Sequence, residues 1–155
     1  MDVENPGGPA TAPFGSDNCV FCAIVAGAAP ASVVYDDAEI LAFMDIRPVS
    51  PGHLLVIPKR HAPFLADLDE QLGARMFAIG MRLAGALRAS GLRCEGIKLF
   101  LADGEAAFQE VFHVHLHVFP GFAGDCFRID ADRSVKPSRI ELDAIAARVR
   151  AAYAG

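Results

Sequence analysis

Residues Glu110 to Pro120 read EVFHVHLHVFP, an apolar run with a histidine at every second position from His113 to His117. Alternate side chains on a β-strand share a face. The alternation therefore predicts a strand with His113, His115 and His117 on one side and Phe112, Val114, Leu116 and Val118 on the other. The apolar row belongs in a core. Each imidazole needs a hydrogen-bond partner and titrates near neutral pH. Three of the chain's five histidines stand in this row, which points to chemistry rather than packing.

Outward from this strand the pattern continues. The run CVFCAIVAG reads as a short helix stopped by Gly27. SVVYDD and EILAFMD read as a hairpin turning at Asp36-Asp37, and HLLVIP as a third strand ended by Pro58. Leu72, Met76, Ile79, Leu83 and Leu87 mark a helical stripe begun by Asp67 or Asp69 and closed by Gly91. GIKLFLADG is a fourth strand, and the histidine run is the fifth. A last helix starts at Ser138 with Glu141 three residues on, a capping box, and Leu142, Ile145 and Val149 give it one apolar face. Strands grouped around one long helix, with no regular βαβ alternation, give an α+β fold with an antiparallel sheet of about five strands.

The 155 residues suffice for one domain, and 53% are apolar. Residues 1–18 read as a disordered, Pro- and Gly-rich arm with no export signal, and 19–155 as the folded domain. No run approaches the ~20 apolar residues that span a bilayer. A net charge of −5 argues against nucleic acid as a partner. Four cysteines without an export signal indicate reduced thiols or metal ligands, and a cytoplasmic protein.

Four readings of the histidines follow. They decorate a half-exposed strand by chance; or two histidines complete a Cys₂His₂ zinc site with Cys19 and Cys22, His61 and one strand histidine being available. Alternatively, the central His115 is a nucleophile toward phosphorus, with its neighbours orienting it and moving protons. Lastly, Cys19-x-x-Cys22 is a redox pair, though no thioredoxin-like βαβ unit follows it.

HVHLHV resembles the histidine triad (HIT) signature, and CVFCAIVAGAAPASVVYDDAEILAFMDIRPVSPGHLLVIPKRH resembles the N-terminal half of bacterial HIT hydrolases. The similarity spans roughly residues 19 to 127. It implies a HIT-like fold, usually a homodimer whose sheets join, and nucleotide hydrolases or transferases acting at an α-phosphate. His115 would be the nucleophile forming a nucleotidyl-histidine. His117 and His53 would flank the phosphate and help protonate the leaving group. Asp45 would accept hydrogen bonds from ribose hydroxyls. Phe21, Ile24, Phe43 and Ile46 would wall the base, and Gln109 would face phosphate. Cys19, Cys22, His61 and His113 would bind a structural zinc. No carboxylate cluster suggests a magnesium site.

The chain departs from the family pattern at Ala102, where many relatives carry Asn or Gln, and at Phe108, usually glycine. Glu110 replaces a hydroxyl residue, and Gly121 an arginine. These changes spare the nucleophile and alter the leaving-group pocket. The expected function is a purine-preferring hydrolase or nucleotidyl transferase releasing a nucleoside monophosphate. The alternatives are a nucleotide-binding regulatory or sensor protein with weak catalysis, or a zinc-stabilised interaction module. Phe77, Met81 and Ala84 add a second apolar stripe to the long helix. With strand residues 96–101, that stripe marks the expected dimer surface.

Overall fold

Alternation along each strand sorts the side chains of the sheet onto two faces. The computed structural model describes residues 14–153. Its strands are β1 (Val33–Asp36), β2 (Ile40–Met44), β3 (Leu54–Pro58), β4 (Gly96–Phe100) and β5 (Leu116–Gly121). They form one antiparallel sheet in the order β1-β2-β3-β5-β4. The helices are α1 (Val20–Val25), α2 (Glu70–Ala89) and α3 (Arg139–Tyr153). None of them is long and apolar enough to cross a membrane. The α+β fold with an open five-stranded sheet is as the sequence predicts. Of the expected arm, residues 1–13 lie outside the described residues. Ser16–Asn18 form a 3₁₀ turn, and Phe14 packs on Phe64 and Phe112 with ring centroids 5.3 and 4.4 Å away.

One face of the sheet carries α2. Ile40, Ala42, Leu54, Val56, Val114, Leu116 and Val118 meet Met76, Ile79, Leu83 and Leu87 there. Ile40, Val56 and Val118 are fully buried, and such side chains contribute about 1.5–3 kcal/mol each. Asp69, rather than Asp67, caps α2: its carboxylate accepts from the backbone N–H groups of Gln71 and Leu72 at 3.0 and 3.2 Å. Gly80 lets the helix lie close, since a Cβ there would stand 2.9 Å from Leu116 Cδ2. The other face carries α1 and a second core of Phe21, Leu41, Phe43, Leu55 and Ile57.

The same alternation puts Asp45 and His53 on the α1 face, in phase with Phe43 and Leu55. Gly52, at φ +99°, turns the chain into β3 at a point where a side chain would press on Leu87, Leu92 and Pro120. Strand β5 is shorter than predicted. Its ladder with β3 ends at the Val56–Leu116 pair, and β3 stops at Pro58, which has no N–H to offer. Upstream, Val114 N–H donates instead to the Ala62 carbonyl at 2.7 Å. Phe112 consequently leaves the apolar row and packs on Phe14 and Phe64.

The capping box of α3 forms as expected: Glu141 accepts from Ser138 N–H and hydroxyl, both at 2.7 Å, and donates its own N–H to Ser138 Oγ at 3.3 Å. Leu142, Ile145 and Val149 are exposed, so its apolar face does not join the core.

Candidate functional site

Backbone carbonyls only accept hydrogen bonds, so a ring nitrogen facing one must carry the proton. His115 Nδ1 lies 2.7 Å from the carbonyl oxygen of His113 and donates to it. Its Nε2 is therefore the unprotonated nitrogen. Burial pushes the His115 pKa down, which keeps the ring neutral. Phe21 stands edge-on to it, centroids 5.2 Å apart.

A second chain of contacts fixes the neighbouring rings. Val49 N–H donates to His53 Nδ1 at 3.0 Å, leaving the proton on His53 Nε2. That nitrogen donates to His117 Nδ1 at 2.9 Å, so His117 carries its proton on Nε2. Asp45 Oδ2 lies 3.6 Å from His53 Nε2, and its Oδ1 accepts from Arg47 N–H at 2.8 Å. Burial lowers the His53 pKa, with Asp45 opposing; it pushes His117 down to about 4, helped by His115 and His53. Asp45, His53 and His117 converge closely enough to be weighed as metal ligands. The His53 nitrogen among them already carries a proton, which makes the trio a proton chain.

Around these rings lies a cavity of about 710 Å³. Phe21, Ile24, Phe43 and Ile46, which the resemblance would set around a base, line it together with Asp45, His53, His115 and His117. Gln109 is a correction. Its Oε1 accepts from Gly104 N–H at 2.7 Å, and its Nε2 donates to the carbonyls of Pro63 and Val111 at 2.8 and 3.0 Å. Only 4% exposed, it braces the loop before the triad from inside and does not line the cavity. Residues the sequence reading did not assign to the site include Arg47, Val49, Phe100, Val111, Phe119 and Phe127. Phe100 had a signal: it pairs in register with His117 across β4 and β5.

The third expected group also assembles. Cys19 Sγ lies 3.4 Å from His113 Nδ1, Cys22 Sγ 3.2 Å from His61 Nδ1, and the two Nδ1 atoms 3.3 Å apart. His113 Nε2 donates to the Pro58 carbonyl at 2.7 Å and His61 Nε2 to that of Phe14 at 2.8 Å. Both histidines thus turn a lone pair toward the thiols. Burial pushes His113 down to about 4, and burial with the Cys19 contact pushes Cys22 up to about 11. Two neutral imidazole nitrogens and two thiols converging on one point are a donor set that suits zinc.

Comparisons with known proteins point to one family. The HIT domain family model matches residues 26–124. An uncharacterized HIT-like protein of Mycobacterium tuberculosis is 53% identical over 107 residues, 69% of this chain and 74% of that one. An adenylylsulfatase of Arabidopsis thaliana is 34% identical over 128 residues, 82% of this chain and 63% of that one. The crystal structure of a zinc-bound histidine triad family protein from Mycobacterium smegmatis superposes with a TM-score of 0.70 at 46% identity, covering 89% of this chain and 99% of the other.

Proposed function

This chain belongs to the HIT domain family, and from that premise we propose that it hydrolyses or transfers nucleotides at the α-phosphate through a covalent intermediate on His115. The observation that carries this reading is the proton on His115 Nδ1, held by the His113 carbonyl, which leaves a free lone pair on Nε2 within the cavity wall. The base sits among Phe21, Ile24, Phe43 and Ile46, an apolar wall that accommodates a purine. Ribose hydroxyls donate to Asp45, which has lone pairs to spare beyond its Arg47 contact.

His115 Nε2 attacks phosphorus, a P–N bond forms, and the bond to the leaving group breaks with its electron pair. Phosphate bound beside His117 raises that residue's pKa from its depressed value, so His117 Nδ1 takes up a proton from solvent, and the His53 Nε2–H turns from it to Asp45 Oδ2, 3.6 Å away and the counter-charge of the pair. His117 Nε2–H passes its proton to the leaving group. Water then attacks phosphorus, its proton returns to the pair, and the P–N bond breaks to release the nucleoside monophosphate. Two displacements replace one difficult attack by water.

Cys19, Cys22, His61 and His113 would hold a zinc ion that ties the start of α1 to the loop after β3 and to the first histidine of the triad. Zinc in such a closed set is structural. A homodimer joined at β4, the end strand of the sheet, would cover exposed Phe77, Met81 and Leu99. The free thiols fit a cytoplasmic protein, and the negative net charge fits a nucleotide rather than nucleic acid.

The test is nucleoside monophosphate release from adenylylated compounds by wild type and His115→Ala, with mass spectrometry of quenched wild-type protein for an adenylyl adduct. Adduct and release in wild type alone are expected. Tight nucleotide binding without turnover would favour the second reading, a nucleotide-binding sensor with weak catalysis, which the inward-turned Gln109 favours.

A further inference from the structure

The mouth of the cavity is bridged by an ion pair between the β2–β3 loop and the segment leading into the triad. Arg47 Nη2 lies 3.2 Å from Glu110 Oε2, and the two side chains are 81% and 78% exposed. Arg47 is the one Lys or Arg among the described residues lining the cavity, and Glu110 occupies it. The remaining ionisable lining groups are Asp45 and three histidines. The fixed charges are thus Arg47 against Glu110 and Asp45, one net negative, and the one fixed cation is already paired.

The cavity is also lined by apolar rings. Phe100 packs on His117 with centroids 5.7 Å apart, and Phe119 on His53 at 4.8 Å and on Phe127 at 5.0 Å. Phe108 is 85% exposed and is the one non-glycine among the described residues with positive φ, +67°. A bulky side chain in that backbone region is rare, and such strain gathers at ligand clamps.

Building on the α-phosphate reading above, we propose that Glu110 and Phe108 select the group displaced from phosphorus: an uncharged or cationic group with a flat apolar body, in preference to an anionic one such as sulfate or a polyphosphate. Glu110 neutralises the cation an anionic group would need, and its own charge repels that group. Phe108, with Phe100, offers a face on which an apolar body lies.

Two opposite substitutions test this. Glu110→Gln frees Arg47, and Arg47→Gln leaves Glu110 bare. Each protein is compared with wild type on an adenosine phosphoramidate of an aromatic amine and on a dinucleoside polyphosphate, by kcat/KM. Binding of non-hydrolysable phosphonate analogues of both compounds is measured alongside. The preference for the amidate should fall about tenfold in Glu110→Gln, equivalent to about 1.4 kcal/mol, and rise in Arg47→Gln. Phe108→Gly should weaken the aromatic amidate relative to one of ammonia. A general loss of fold would depress both compounds together and leave their ratio alone. Ratios unchanged within twofold in variants that keep the wild-type melting temperature, or moving the same way in both charge variants, would overturn the assignment. Should no compound turn over, the opposite shifts in analogue binding would still uphold it, and only the catalytic reading would fall.

Discussion

His53 Nε2 lies 2.9 Å from His117 Nδ1, a contact between residues 64 positions apart in the chain. With Val49 N–H on its other nitrogen, His53 has no lone pair or proton left for a ligand. It acts through His117.

Replacing His53 by Ala should therefore release the tautomer of His117 rather than delete the proton donor. Steady-state kinetics should show kcat falling about 10–100-fold with KM nearly unchanged, against the ~10²–10⁴-fold that losing a general acid costs. A fall in His53→Ala equal to that in His117→Ala would place His53 on the substrate itself.

Stability should depend on pH through His117. Its pKa lies near 4 in the folded chain, against an ordinary value of 6.5. Between these values the unfolded chain binds more protons, so unfolding free energy rises with pH across that window, by at most about 1.4 kcal/mol per unit. The contribution is complete above pH 6.5 and is lost as pH falls toward 4. Denaturant titrations at pH 4.5, 5.5 and 7 should give a shallower slope for His117→Asn than for wild type; equal slopes would remove His117 as the source.

The cysteine–histidine cluster should carry about one zinc per chain by elemental analysis of protein purified without chelator. Cys22→Ser should lose the metal and melt at least about 4 °C lower, the shift that 1–2 kcal/mol makes in a chain of this size. Because burial holds the free Cys22 thiol near a pKa of 11, loading zinc into stripped protein should release protons measurable in weak buffer. No zinc and no release would leave the four residues as a packed polar cluster.

Two glycines on one helix should respond oppositely to alanine. At Gly85 an added Cβ meets nothing within 4 Å, whereas at Gly80 it meets Leu116 Cδ2 at 2.9 Å. Gly85→Ala should stabilise by about 0.5–1 kcal/mol, the helix-propensity difference. Gly80→Ala should destabilise, because the buried Leu116 must leave its packing or the helix must move off β5. Chemical denaturation of both variants measures the contrast.

Where local pattern determines position, the sequence was readable. Period-two alternation placed His113, His115 and His117 on one face, and the capping groups Asp69 and Ser138 marked their helices. Gln109 was misread because its role depends on three backbone groups, at Gly104, Pro63 and Val111, that only the folded loop brings together. Phe119 and Phe127 share a site through a turn held by Asp125, which accepts from Phe122 N–H at 3.0 Å and pairs with Lys98. No periodicity announces such a turn. The apolar stripe of α3 was legible, and its exposure was not, since a stripe specifies a face but not what covers it.

Two main-chain carbonyls, those of Pro58 and His113, decide where the protons sit on His113 and His115. A carbonyl survives every side-chain substitution, so point mutation cannot erase this proton placement directly; only sliding the backbone can. A one-residue slip of the triad segment against β3 would turn Val114 and Leu116 toward the cavity and the imidazoles into the α2 core. Strand alignment and the placement of the ring protons are thus inherited together, which makes the hydrophobic fit of Val114, Leu116 and Val118 against α2 a condition for the arrangement on the opposite face.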